Sequence, residues 1–157
     1  MKKLLVLTAL LAGTGMAQAA TLTQKNISLE QANQLASAAV QACMAKNYQV
    51  SVTVVDRAGV VKALQRTDNA GPHTVKASEM KAFTALSTKN ASGKVMDAAQ
   101  NNAGAQNMRD VPGFLLLAGG LPLKAGDEVI GAIGIGGAPG GNLDEACAQQ
   151  AIDSVKL

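Results

Sequence analysis

The chain has a single histidine, His73, at the end of the run Asn69-Ala70-Gly71-Pro72-His73. An imidazole titrates near neutrality and is a natural axial ligand for haem iron or another transition metal. The loop before it is flexible, and Pro72 suits the first turn of a helix, where its missing N–H costs nothing. His73 is therefore expected in an accessible first turn, a place that equally suits an ordinary solvated histidine. Arg66, Lys76 and Lys81 are the nearest cations. Each can donate charge-assisted hydrogen bonds to a carboxylate-bearing ligand, and each can also be plain solvated charge, the reading preferred for Lys76. Lys81 falls on the interior side of Lys81-Ala82-Phe83-Thr84-Ala85 and is expected to have a partner, with Asp56 or Asp68 as candidates. Met80 is no second ligand beside His73. At about 1.5 Å per residue it lies about 10 Å further along the same helix, whereas two axial ligands must bracket one iron. It is expected in the core.

A second candidate is the glycine-rich run from Gly131 to Gly141, which ends at a helix start at Asn142. Backbone N–H groups there would suit a phosphate, carboxylate or propionate, although the glycines also serve simply to turn a strand into a helix. The run fits neither Gly-x-Gly-x-x-Gly nor Gly-Lys-Ser/Thr, so the nucleotide motifs fail. One histidine cannot build a multi-histidine zinc site. The chain has no Cys-x-x-Cys-His for covalent haem and no Gly-x-Ser-x-Gly nucleophile elbow. Enzymatic catalysis has little support, and no catalytic residue is assigned.

The elements that position these residues follow from periodicity and capping. A first helix starts at Ser28, with Gln31 completing a capping box, and ends near Lys46-Asn47. Leu29, Ala32, Leu35, Ala36, Ala39, Val40 and Cys43 give it an apolar face. Gln49 to Val55 and Val60 to Arg66 form a hairpin around the turn Asp56-Arg57-Ala58-Gly59. A helix follows Pro72, and a weaker polar one is expected over Ser92 to Asn107. Gly113 to Ala118 is expected to be a short strand. Leu121 to Lys124 and Glu128 to Ile135 make a second hairpin around Ala125-Gly126-Asp127. A last helix opens at Asn142, with Glu145 completing another capping box. The order α-β-β-α-α-β-β-β-α indicates an α+β fold, a single compact domain with a central antiparallel sheet flanked by helices.

Residues 1–19 are expected to be a cleaved signal peptide. Lys2 and Lys3 precede the apolar Leu4 to Leu11, and Ala17-Gln18-Ala19 is a small-x-small cleavage site. The apolar run is far short of the roughly 20 residues a membrane span needs. Residues 20–157 would then form the mature domain, periplasmic or secreted, with no transmembrane anchor. The formal net charge of +3 includes the two leader lysines, so the mature domain is nearly neutral. Its aromatics are Tyr48, Phe83 and Phe114, without tryptophan. A nucleic-acid binder would show a clustered basic face or stacking aromatics, and neither is present. Cys43 and Cys147 would meet an oxidising compartment, where they read as one disulfide or as two buried thiols, a choice their spacing leaves open.

The hairpin-to-helix junction, Val54-Val55-Asp56-Arg57-Ala58-Gly59 through Gln65 to His73 and on to Lys81-Ala82-Phe83-Thr84-Ala85, resembles the GlcG/HbpS family of haem-binding-like proteins (the DUF336 type). That family also supplies the C-terminal domain of PduO-type proteins. Gly119-Gly120-Leu121-Pro122-Leu123, Val129-Ile130-Gly131-Ala132-Ile133-Gly134 and Asp144-Glu145-Ala146-Cys147 extend the resemblance over the mature chain. It implies non-covalent haem as ligand, a homo-oligomer, and first and last helices side by side, which favours the Cys43–Cys147 disulfide. His73 becomes the expected iron ligand, with Arg66 and Lys81 as partners of the haem propionates. The leading expectation is an exported protein for haem capture, storage or sensing. The alternatives are an oligomeric module that modulates a membrane partner such as a sensor kinase, and an accessory protein in small-carboxylate or corrinoid metabolism.

Overall fold

The computed structural model of the protein describes residues 21–157, so the expected signal peptide over residues 1–19 lies outside the described residues. The elements run α1 (Leu29–Met44), β1 (Ser51–Asp56), β2 (Val61–Arg66), α2 (Thr74–Thr88), α3 (Ser92–Asn101), a 3-10 turn at Gln106–Asp110, β3 (Gly120–Ala125), β4 (Glu128–Gly136) and α4 (Gly141–Ser154). The strands form one antiparallel sheet in the order β2-β1-β4-β3. The α+β class and the flanking helices are as the sequence indicates. One element differs. Gly113–Ala118 pairs with no strand, because Leu115 instead exchanges hydrogen bonds with the Thr84 hydroxyl of α2.

Alternation along the central strands divides the sheet into two unlike faces. Val52 and Val54 of β1, with Ile133 and Ile135 of β4, join Leu35, Ala36 and Ala39 of α1 and Ala148 and Ala151 of α4 in the main core. Ser51, Thr53 and Val55 point the other way, toward α2. On that face α2 comes close enough to replace side-chain packing with backbone contact. A Cβ on Gly134 would run into the Ser78 carbonyl, and one on Gly120 into the Lys81 carbonyl. The Ser51 and Thr53 hydroxyls meet those of Thr74 and Ser78 at 2.8 and 2.7 Å.

The α1 capping box forms as expected, with Gln31 N–H donating to Ser28 Oγ at 3.1 Å and Ser28 N–H to Gln31 Oε1 at 3.3 Å. The second capping box does not. The last helix begins at Gly141 with Gly140 as its cap, which places Asn142 already inside the first turn, and no side chain caps it. The third helix stops at Asn101 rather than Asn107.

Cys43 of α1 and Cys147 of α4 form a disulfide with Cα atoms 5.5 Å apart across 104 residues of sequence. Both cysteines are fully buried in the main core. On the chain-entropy account, a loop of this length contributes about 4–5 kcal/mol. Unfolding by urea under reducing conditions is expected to show a much lower midpoint than under oxidising conditions. Coincident midpoints would show that the bond adds nothing to stability.

Candidate functional site

The one buried ion pair among the described residues joins α2 to α4. Lys81 Nζ lies 2.8 Å from Asp144 Oδ2 and donates to the Ile135 carbonyl of β4 at 2.9 Å. Asp144 Oδ1 accepts from the Ala138 N–H at 3.0 Å, which ties down the loop between β4 and α4. The lysine does have a partner, but it is neither Asp56 nor Asp68. The Asp56 carboxylate closes its own turn, accepting from the N–H groups of Ala58 and Val60, and Asp68 is exposed. Burial pushes the Asp144 carboxyl above the usual carboxylate range, and its contacts with Lys81 and Ala138 pull it back only in part. Gly119 makes room for the pair: its φ is +121°, and a Cβ there would lie 2.8 Å from Asp144 Cβ and 3.0 Å from Lys81 Nζ.

This pair forms the floor of a groove of about 440 Å³. His73, Ala77 and Lys81 line it from α2 at four-residue intervals, one face of the helix. Met96 of α3, Leu117 and Ala118 form a second wall, and the glycine-rich loop Gly136–Gly141 forms a third. Two of the sequence candidates, His73 and Lys81, thus meet the glycine-rich run in one place. His73 is exposed and sits at the N-cap position of α2, just ahead of the expected first turn.

Arg66 does not line the groove. It ends edge strand β2, and its guanidinium donates to the Ala70 carbonyl, in the loop that leads to His73. Lys76 is exposed and pairs with Glu79 at 3.1 Å. Met80 is not core: it is half-buried beside Phe83 and Gly113, away from the groove. Sequence reasoning missed Asp144 and Met96. Asp144 carried the one available signal, an acidic residue in the first turn of a helix that follows a glycine run. Among the described residues, no group of three or more His, Cys, Asp or Glu gathers as a metal site. None of the helices described is long and apolar enough to cross a membrane.

A four-stranded antiparallel sheet with α2 pressed onto one face and the α1–α4 pair on the other is the fold of a defined class. The chain belongs to the HbpS-like family, since the model described as haem-degrading protein HbpS-like matches residues 27–153. It is 36% identical to a double mutant of Streptomyces reticuli HbpS, with a TM-score of 0.83 and coverage of 94% of this chain and 99% of that one. It is 26% identical to PduOC in its haem complex, with a TM-score of 0.77 and coverage of 83% and 96%. It is also 30% identical over 129 residues to an uncharacterised 15.0 kDa protein of Citrobacter freundii encoded in the dhaT-dhaS intergenic region, covering 81% of this chain and 90% of that one. The resemblance read from the hairpin-to-helix junction is thereby confirmed.

Lys81→Met leaves a buried carboxylate without its countercharge, and breaking one side of such a pair costs about 3–5 kcal/mol. The cost depends on pH. Without the lysine, nothing from that side offsets burial, so Asp144 holds its proton further up the pH scale. A raised native pKa gives stability that is present at low pH and lost as pH rises through it. The deficit of Lys81→Met relative to wild type is therefore expected to be largest near neutrality. It should shrink as pH falls toward the usual carboxylate range of about 4. Urea unfolding of both proteins across that range checks it, and a deficit independent of pH would refute the assignment.

Proposed function

We propose that the protein binds haem reversibly in the groove beside α2, outside the cytoplasm, for capture, storage or sensing. The observation that carries this reading is the convergence of His73 and Lys81 on one groove in a chain of the HbpS-like family. The residues present fit the group. Ala77, Met96 and Leu117 offer apolar contact to a macrocycle, and the glycine-rich loop adds only the small apolar side chains of Ala138 and Pro139 to its wall. His73 is exposed and would serve as axial ligand to the iron. An ammonium has three protons to donate, and Lys81 commits two of its own to Ile135 and Asp144. The third suits a propionate oxygen at the groove floor. Bound haem would supply a redox-active iron, and the protein's part is to hold and orient it. Such a groove, open and with few polar anchors, favours reversible holding over turnover.

Export is supported by the leader-like pattern over residues 1–19 and by the disulfide between Cys43 and Cys147, a bond at home in oxidising compartments. A second reading is an oligomeric module acting on a membrane partner. It is favoured by Val60, Val61 and Leu64, apolar residues 61%, 43% and 42% exposed at the β2 edge, where self-association would cover them.

Haemin titrated into wild type is expected to give a saturable, stoichiometric Soret shift. His73→Ala should weaken binding by roughly tenfold or more, about 1.4 kcal/mol, and change the spectrum. Identical titrations would exclude His73 as the ligand. The absence of saturation in either protein would remove haem and leave the interaction module. A Soret band that bleaches under reductant and oxygen with release of iron would identify turnover instead of holding.

A further inference from the structure

The groove explains Lys81 but leaves Arg66 outside it, engaged with the chain rather than facing the ligand. From its surroundings we infer that Arg66 is a positioning residue for His73, acting through the Ala70-Gly71-Pro72 loop rather than through a contact with haem. This inference rests on the haem reading above.

The loop is held at successive points. The Thr67 N–H donates to the Val50 carbonyl at 2.9 Å, and the Thr67 hydroxyl accepts from the Val50 N–H at 3.0 Å. The Ala70 N–H donates to the Thr67 carbonyl at 3.1 Å, and the Thr74 hydroxyl donates to the Gly71 carbonyl at 2.7 Å. Between these ties the Ala70 carbonyl accepts from the Arg66 guanidinium. Ala70 itself is buried, with 3% exposure. The guanidinium therefore links the end of β2 to the residue ahead of Gly71.

Gly71 translates this link into the orientation of the imidazole. A Cβ at Gly71 would stand 2.9 Å from His73 Cε1 and 3.0 Å from Nδ1. The Nδ1–Cε1 edge of the ring thus rests on the bare Cα of Gly71, and the opposite edge, with Nε2, is turned away from the loop. Gly71 is not among the glycines with positive φ, so an alanine there meets no left-handed strain and acts as a wedge against the ring. Because the imidazole is exposed, it can swing aside without disturbing the core.

The test uses two probes, haemin and haemin dimethyl ester, whose propionates are capped and carry no charge. Each is titrated into wild type, Arg66→Ala, His73→Ala and the double variant, with Gly71→Ala as an independent way of moving the ring. Arg66→Ala is expected to weaken both probes by the same factor, roughly tenfold, the scale of one lost charge-assisted hydrogen bond. It should cost nothing further once His73 is gone, since residues acting as a unit are not additive. Gly71→Ala should reproduce the weakening and shift the Soret position while melting like wild type. A penalty seen with haemin but absent with the dimethyl ester would make Arg66 a propionate partner and overturn the inference while leaving the haem site intact. A full Arg66→Ala penalty in the His73→Ala background would overturn it likewise. A His73→Ala protein that binds both probes as wild type does would overturn the haem reading itself, and this inference with it.

Discussion

The Lys81–Asp144 pair is the interaction on which the functional face depends. It joins α2, the end of β4 and the first turn of α4 at a single buried point. Replacing such a pair with well-packed apolar residues is often neutral or stabilising, whereas removing one partner is costly. Its presence in the core is therefore weak evidence for stability and better evidence for placement. By drawing the Ala138 N–H onto Asp144, the pair fixes where the glycine-rich loop runs, and with it the third wall of the groove. The raised proton affinity of Asp144 is the electrostatic expression of that burial.

The pair can form only because α2 lies directly on the sheet. Gly120 and Gly134 are the positions at which that approach would otherwise be blocked. Small hydroxyl residues fill the remaining space on β1, and each finds a hydroxyl partner on α2, so close packing leaves no buried polar side-chain atom unpaired among the described residues. Glycines that look, one at a time, like strand weaknesses are together the fit of one helix to one sheet. With α2 so placed, its N-terminus delivers His73 to the groove mouth and the residue two turns on delivers Lys81 to its floor.

Local signals in the sequence carried most of the fold. The Ser28–Gln31 capping box, the Asp56–Gly59 turn and the two hairpins are set by neighbours a few residues apart, and they were legible. So was the interior placement of Lys81. What was not legible depends on distance in sequence: Asp144 is 63 residues from the lysine it pairs with, and nothing local marks it over Asp56. Gly113–Ala118 has the apolar content of a strand, but a hydroxyl on α2 claims its backbone. Met80, set aside as a ligand, was expected in the core, yet the face that meets the sheet belongs to Ser78, Lys81, Ala82 and Ala85. The Asn142 capping box failed because two glycines ahead of it let the helix begin early.

The two faces of the sheet divide the labour. One carries the buried disulfide and aliphatic core, covered by the α1–α4 pair. The other carries small residues, the buried Lys81–Asp144 ion pair and an open groove. Stability concentrated on the first face frees the second to keep features that stability alone would not select: an exposed imidazole, a glycine-rich wall and a buried lysine. Rigid presentation then matters more than contact area. With no phenylalanine, tyrosine or tryptophan lining the groove, a flat macrocycle would be held by aliphatic contact and a few donors, which count for most when they are in place before the ligand arrives. In the proposed haem site, preorganisation of this kind would place the decisive residues behind the ligand contacts, in the Arg66 link and the Gly71 seat beside His73 and in the carboxylate that holds Lys81.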